Sequence, residues 1–459
     1  MKLELEQLDA TAVVEAFKDG SVAPAEYAEA VVDRAAKHSH LNALQSFDPE
    51  HLIRTTTKTF QDNPDAPLAG LPLVVKDNIN TMNYPTSGGT TALLDHTPDS
   101  DASVIAQIIR GGGFVGAKAN MHELAFGITS NNAVTGAVRN PIDPSLIPGG
   151  SSGGTAAAVA AGILPLGLGT DTGGSCRIPA SLCGVVGFRP STGRYPGDGV
   201  IPISHSLDTV GSFARSTSDI ALLDEVITGQ ARQHRDGLEG VRLGLPMARF
   251  FENLDPETAR ITEAALATLQ SAGADLIEVS LQDIWAHAAE FSIPVALYEV
   301  MRGLPKYLRE HASSVSFKEL VECIGSPDVK GFITSQLGAD AIPEHAYREA
   351  KEVHLPAMLE IYNSVFADNQ LDAIVFPTTP LPARPIGDDE VVELNIDRVP
   401  TFPTYIRNTD LAPNIGAPGI SLPCPITSGL PVGIEFDALP GMDRSLLALA
   451  GAAEKAMAQ

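Results

Sequence analysis

Apolar residues recur every three to four positions over residues 8–37, with an interruption at Asp19-Gly20, which predicts two short amphipathic helices packed on one face. A different pattern follows in GLPLVVKDN, residues 70–78. Pro72 precedes the unbroken apolar run Leu73, Val74, Val75, which ends at Lys76, as expected of a short buried strand closed by a charge. Residues 99–110 open on capping-type side chains and close on three glycines, predicting a helix, and FVGAKAN after them predicts another strand. GVRLGLP, PETARITEAALATLQSAG and DLIEVSL, between residues 240 and 281, predict strand, helix and strand. A mostly helical pattern fills about residues 280–365, and LDAIVFPTTP returns to a buried strand. ISLPCPI and LPVGIEFDA, joined by the turn-like Thr427-Ser428-Gly429, predict an antiparallel pair. No repeat, linker or low-complexity segment divides these parts. The expectation is one α/β unit over residues 1–459, a large mixed sheet with helices on both faces.

Composition narrows the function classes. Of 459 residues 44% are hydrophobic and only 19% charged, enough apolar material for one large core and too much for a disordered chain. The formal net charge of -25 repels phosphate backbones, so nucleic acid is not an expected partner. Four cysteines, at 176, 183, 323 and 424, form no CxxC and no metal-type spacing with histidine. No disulfide, metal or cofactor is expected. The first residues, MKLELEQLDATAVVEAF, carry acids where an export signal needs a basic end, so a cytoplasmic protein is expected. The uncharged stretch 144–170 is long enough to cross a bilayer, but seven glycines and two further prolines interrupt it. It is expected to be buried scaffold.

The chemistry concentrates in residues 148–196, where glycine pairs flank serine twice, in GGSSGG at 149–154 and in Gly173-Gly174-Ser175. Glycine suits places where backbone amides approach a ligand closely. Either cluster alone is what a flexible loop looks like, but here both bracket an alanine-rich helix and a buried strand. Three nucleotide- or nucleophile-type motifs come into question here. Gly167-Leu168-Gly169-Thr170-Asp171-Thr172-Gly173 is one residue too long for a dinucleotide loop, and no acidic residue follows a second strand at the required distance. No P-loop is present, since Lys118 lacks both the spacing and a hydroxyl neighbour. Gly149-Gly150-Ser151-Ser152-Gly153 fits the GxSxG nucleophile elbow, but that arrangement needs a late histidine and the last one here is His354.

GGSSGG, the alanine-rich helix, GTDTGGSCRIP and GVVGFRPSTGR together resemble the amidase signature family of serine hydrolases. The resemblance extends upstream through GLPLVVKDNI, ANMHELAFGITSNN and NPIDPSLIPGGSSGG, and downstream through SLDTVGSFARSTSDIALL, covering at least residues 70–225. Phe188-Arg189-Pro190-Ser191 departs from the family's usual Lys-Pro-Thr without touching the expected catalytic positions. The resemblance implies Ser175 as nucleophile, Ser151 as the bridging cis-serine and Lys76 as base. It implies an oxyanion hole from the amides of Thr172, Gly173, Gly174 and Ser175, with Ser152 and Thr170 supporting the triad. Asp171 and Arg177 are expected to pair beneath the nucleophile, and His122 to lie outside the reacting set. Met121, Ala125 and Phe126 border the acyl pocket in this family, and Tyr405, Asn414 and Ile415 are expected to help close it.

The residue types suit the task. A lysine acts as a base only when neutral, and a fall of about 3 units from ~10.4 needs roughly 4 kcal/mol, obtainable by burial beside Leu73, Val74 and Val75. A serine relay can remove the nucleophile's proton and later protonate the departing nitrogen, which an amide requires. The implied activity is hydrolysis of linear carboxylic amides through an acyl-enzyme, with aryl or arylalkyl amides foremost and esters and carbamates or urethanes within reach. The segments 193–211 and 432–458 look like those of stand-alone arylalkyl-amide hydrolases of the mandelamide and indoleacetamide type. The alternative is a glutamine-dependent amidotransferase subunit that supplies ammonia to a tRNA-linked partner. The expected partner is a small-molecule amide, with a homodimer as in many relatives, and no membrane.

Overall fold

Short apolar runs without a helical stripe pair into one mixed sheet of eleven strands in the computed structural model, which describes residue 5, residues 8–426 and residues 429–458. In chain order they are β1 Leu44–Phe47, β2 Pro72–Lys76, β3 Phe114–Ala119, β4 Leu166–Asp171, β5 Val186–Arg189, β6 Thr209–Ala214, β7 Arg242–Pro246, β8 Asp275–Val279, β9 Ala373–Pro377, β10 Gly419–Pro423 and β11 Gly433–Asp437. Across the sheet the order is β1-β3-β2-β4-β6-β5-β10-β11-β9-β7-β8. Two parallel groups, β3-β2-β4 and β9-β7-β8, flank an antiparallel middle. Strands β2, β3, β4 and β6 are buried at every position, which requires cover on both faces.

The helices at Ala10–Asp19 and Pro24–Lys37 match the predicted pair. Asp9 caps the first by accepting from the Ala12 N–H, Gly20 ends it at φ 75°, and Pro24 opens the second, where a missing N–H costs nothing. The helix expected from residue 99 starts only at Ser103. Asp101 instead accepts the Met82 N–H at 2.8 Å, and Ser103 Oγ donates to Asp198, so neither polar side chain caps it. The strand, helix and strand expected after residue 240 are β7, the helix Pro256–Ser271 and β8, and the two strands pair in parallel. Strands β10 and β11 form the expected antiparallel pair, while Thr427 and Ser428 of the proposed turn lie outside the described residues. Helices fill most of residues 284–369, including the twenty-residue Ser292–His311 and the helix Leu355–Asn369. Among the described residues no helix is long and apolar enough to cross a membrane.

The functional consequence lies at the C-terminal ends of β2 and β4. Their register sets Val75 beside Leu168, so that Lys76 and Thr170 emerge together where parallel strands commonly present ligand-binding groups. The helix Gly153–Ala160 packs against both strands. It fits there because Gly154 has no side chain: a Cβ at that position would fall 2.2 Å from the Asn120 carbonyl oxygen.

Candidate active site

Lys76 is wholly buried at the end of β2, below an equally buried Leu73, Val74 and Val75. Its Nζ lies 2.8 Å from Ser151 Oγ and 2.8 Å from Thr170 Oγ1. Asn78 Nδ2 also donates to Thr170 Oγ1, at 3.1 Å, fixing that hydroxyl from a second side. Burial pushes the Lys76 ammonium down to about 7, against the opposing pull of the Cys176, Asp171 and Asp208 side chains. The nearest ligands of this amine are therefore neutral hydroxyls, and none is a carboxylate.

GGSSGG brings Ser151 to the amine. The Gly150–Ser151 peptide bond is cis, as the family resemblance implies. The carbonyl of Ser151 accepts from the His122 N–H at 3.1 Å. Ser152 joins this loop to the other glycine cluster: its N–H donates to the Ser175 carbonyl at 3.3 Å. Its hydroxyl donates to the Thr170 carbonyl at 3.2 Å and accepts from the Thr170 N–H at 3.3 Å. Lys76, Ser151, Ser152, Thr170 and Ser175 are thus brought together from three separate segments. The Ser175 hydroxyl makes no hydrogen bond among the described residues and faces a cavity, so the bonded chain runs from Lys76 to Ser151.

The loop that carries Ser175 is held from below by Asp171. One carboxylate accepts from the N–H groups of Gly174 at 2.9 Å and Cys176 at 3.0 Å, and from Arg177 Nε and Nη2 at 3.1 and 3.0 Å. Although burial pushes this carboxyl upward, Arg177 and then Arg189 hold it at about 2. Arg189, the departure from the family pattern, reaches the Asp171 carbonyl as well. Arg177 also pairs with the buried Glu435.

Of the amides expected to form the oxyanion hole, the Gly174 N–H donates to Asp171, whereas those of Thr172, Gly173 and Ser175 make no hydrogen bond among the described residues. Gly174 contributes through its shape, because at φ 133° a Cβ would lie 2.1 Å from Thr409 Oγ1.

Asp171→Asn is expected to lower stability by about 3–5 kcal/mol, because two buried guanidinium groups lose their shared counter-charge. In the wild type the stabilisation from this depressed carboxyl is fully present above pH ~4 and is lost as pH falls toward 2. Urea unfolding at pH 7 and at pH 3 should accordingly show a smaller gap between variant and wild type at the lower pH. An equal gap at both would reject the pairing as its source.

Ser175 opens into a cavity whose wall is largely apolar. Ala125 and Phe126 line it as expected, with Ile203, Leu297, Phe332 and Phe402 among the further apolar groups. Met121 does not. Its side chain is fully buried and lies against the segment at Gly89. Tyr405 is also removed from the cavity, its hydroxyl donating to the Pro382 carbonyl at 2.9 Å in an apolar cluster. Ile415 packs in another core cluster, and Asn414 is buried with its Nδ2 toward Asp410. His122 is buried with Nε2 3.0 Å from an Asp328 oxygen. Ser292, Ile293, Ala296 and Leu297 on one helix, with Phe332, Ile406 and Asp410, also line the cavity; the only sequence signal for the first four is the apolar stripe of residues 292–311, which reads equally well as core.

A family model described as Amidase matches residues 26–447. Over 435 residues the chain is 43% identical to an indoleacetamide hydrolase of Rhizobium radiobacter, covering 94% of this chain and 93% of that protein. It is 39% identical to a mandelamide hydrolase of Pseudomonas putida, covering 92% of this chain and 86% of the other. A crystal structure of an amidase superposes with a TM-score of 0.86 at 34% identity, covering 98% of this chain and all of that one.

Proposed function

Given that the chain belongs to the amidase signature family and is an amide-hydrolysing enzyme, we propose that it cleaves arylalkyl amides to the acid and ammonia through an acyl-enzyme on Ser175. The observation that carries this reading is the buried chain from Lys76 to Ser151, ending beside a largely apolar cavity into which Ser175 opens. A neutral Lys76 accepts the Ser151 proton across 2.8 Å, and Ser151 in turn takes the proton of Ser175 as its oxygen attacks the amide carbon. The free N–H groups of Thr172, Gly173 and Ser175 supply donors for the developing oxyanion. Ser151 then returns the proton to the nitrogen, ammonia departs, and water repeats the sequence on the ester. Esters and carbamates meet the same nucleophile and are expected to be slower or secondary substrates.

The cavity supports the acyl class. Its lining is mostly Ile, Leu, Phe and Ala with a few polar groups, the composition typical of small-molecule sites. Hydrolysis of indole-3-acetamide, mandelamide, phenylacetamide and short aliphatic amides by the purified enzyme is the deciding measurement. The arylalkyl amides are expected to lead in kcat/KM, and a lead by propionamide would reject the reading. Ala296→Phe, which fills the wall from the helix Ser292–His311, should lower kcat/KM for indole-3-acetamide at least tenfold more than for propionamide. Equal losses on both would place the acyl group elsewhere. The family description and the stand-alone hydrolases above favour this reading over the ammonia-supplying subunit.

A further inference from the structure

Four side chains of the cavity wall are polar: Thr172, Ser175, Ser292 and Asp410. Two are already accounted for, since the Thr172 hydroxyl donates to Asp208 at 2.7 Å and Ser175 is the proposed nucleophile. Asp410 is different. Its Oδ1 accepts from Ser292 Oγ at 2.9 Å and its Oδ2 from Asn414 Nδ2 at 3.3 Å. A carboxylate has about four acceptor positions, so roughly two remain unfilled on a group that faces the cavity.

Neither helix capping nor ion pairing uses this carboxylate. Asp410 stands immediately before the helical turn Leu411–Asn414, where an aspartate commonly caps, yet its side chain makes no cap hydrogen bond. No Lys or Arg among the described residues forms an ion pair with it; Arg249 and Arg177 act on it only from farther away. Burial raises its carboxyl above the ordinary carboxylate range, against the opposing pull of the donors Ser292 and Asn414 and the charges of Arg249 and Arg177. Ser292 is the first residue of the twenty-residue helix, whose N-terminal turn favours negative charge nearby. The group also sits beside the reacting loop: Oδ1 lies 3.5 Å from where a Cβ on Gly173 would be.

We propose that Asp410, held by Ser292, is a specificity-determining residue that accepts a hydrogen bond from an N–H or O–H group on the acyl portion of the substrate. The inference rests on the arylalkyl-amide reading and adds to it. A wholly apolar acyl group that fills the cavity displaces water from the carboxylate and leaves acceptor positions unpaired, which is costly. A substrate with a donor at that place avoids the loss. Sites built to pair a substrate donor reject the analogue lacking it far more strongly than apolar pockets reject a missing methylene. Two donors fit the chemistry, a ring N–H as in indole and a hydroxyl next to the amide carbonyl.

Two matched pairs separate them: indole-3-acetamide against benzofuran-3-acetamide, and mandelamide against phenylacetamide. In the wild type one pair should favour the donor-bearing member at least about 20-fold in kcat/KM, identifying which donor Asp410 receives. Asp410→Leu should reduce that preference below about 3-fold, and Ser292→Ala should reduce it in part. The near-isosteric Asp410→Asn keeps the measurement possible if the leucine variant does not fold, and should also shrink the preference. Ratios near one for both pairs in the wild type, or a full preference retained in a folded Asp410 variant, would overturn the proposal while leaving arylalkyl-amide hydrolysis intact. Inactivity of the wild type on all four amides would overturn both.

Discussion

Ser175→Ala is expected to hydrolyse indole-3-acetamide at least about 10⁴-fold more slowly than the wild type, with little change in thermal stability. The size follows from the covalent route, since without the hydroxyl no acyl-enzyme forms and only binding and the oxyanion donors remain. The small structural cost follows from the site, because the Ser175 hydroxyl makes no hydrogen bond among the described residues and faces open space. Hydroxylamine added during turnover should divert acyl groups to the hydroxamate, and mass spectrometry of quenched wild-type enzyme should find the adduct on Ser175. Full activity in Ser175→Ala, with loss only in Ser151→Ala, would transfer the nucleophile to the GxSxG serine instead. That outcome is disfavoured by burial: Ser151 is fully enclosed and bonded to Lys76, whereas Ser175 is partly open.

What could be read from the sequence divides along physical lines. Strands β2 and β9 were visible as unbroken runs of Leu, Val, Ile and Phe, and β3, β7, β8, β10 and β11 as short apolar-rich segments beside turn or helix signals. Strand β6, Thr209–Ala214, was not, since TVGSFA has neither alternation nor a long apolar run. Its state is set by neighbours, with β4 and β5 bonded along its two edges. Its glycine is required by that setting: a Cβ on Gly211 would lie 2.5 Å from the Phe188 carbonyl oxygen. Such tertiary determination of strand structure is the usual failure of propensity arguments.

The site divides similarly. Lys76, Ser151 and Ser175 were legible because glycine and serine clusters leave a local mark that a resemblance can match. Asp410 and Ser292 are 118 positions apart and carry no mark; they meet only because the helix Ser292–His311 folds against the segment that precedes Leu411–Asn414. The pairing of the Gly174 N–H was not legible for another reason. Sequence can say that amides of a Gly-Gly-Ser loop are available, but which of them is consumed by Asp171 depends on where β4 leaves its last carboxylate.

The pH profile should show kcat/KM for amides rising with pH through about 7 and levelling above it, because the free enzyme reacts only with Lys76 neutral. Below the transition the neutral fraction, and with it the rate, should fall about tenfold per pH unit. A histidine titrates near the same place, so the position of the limb alone does not assign it. Substitution does: the limb should persist in His122→Gln, whose imidazole is engaged with Asp328 outside the cavity, and its Lys76 origin should show in Lys76→Ala as loss of both the limb and most amide turnover. The loss should be about 10³-fold or more for amides, where Ser151 needs a base to exchange protons with both the nucleophile and the leaving nitrogen. For p-nitrophenyl esters it should be at least tenfold smaller, since that leaving group departs with little protonation, and the amide-to-ester ratio should drop accordingly. A Lys76→Ala enzyme that keeps wild-type amide turnover and the same limb would remove the lysine from the proton path and leave the 2.8 Å contact with Ser151 as packing alone.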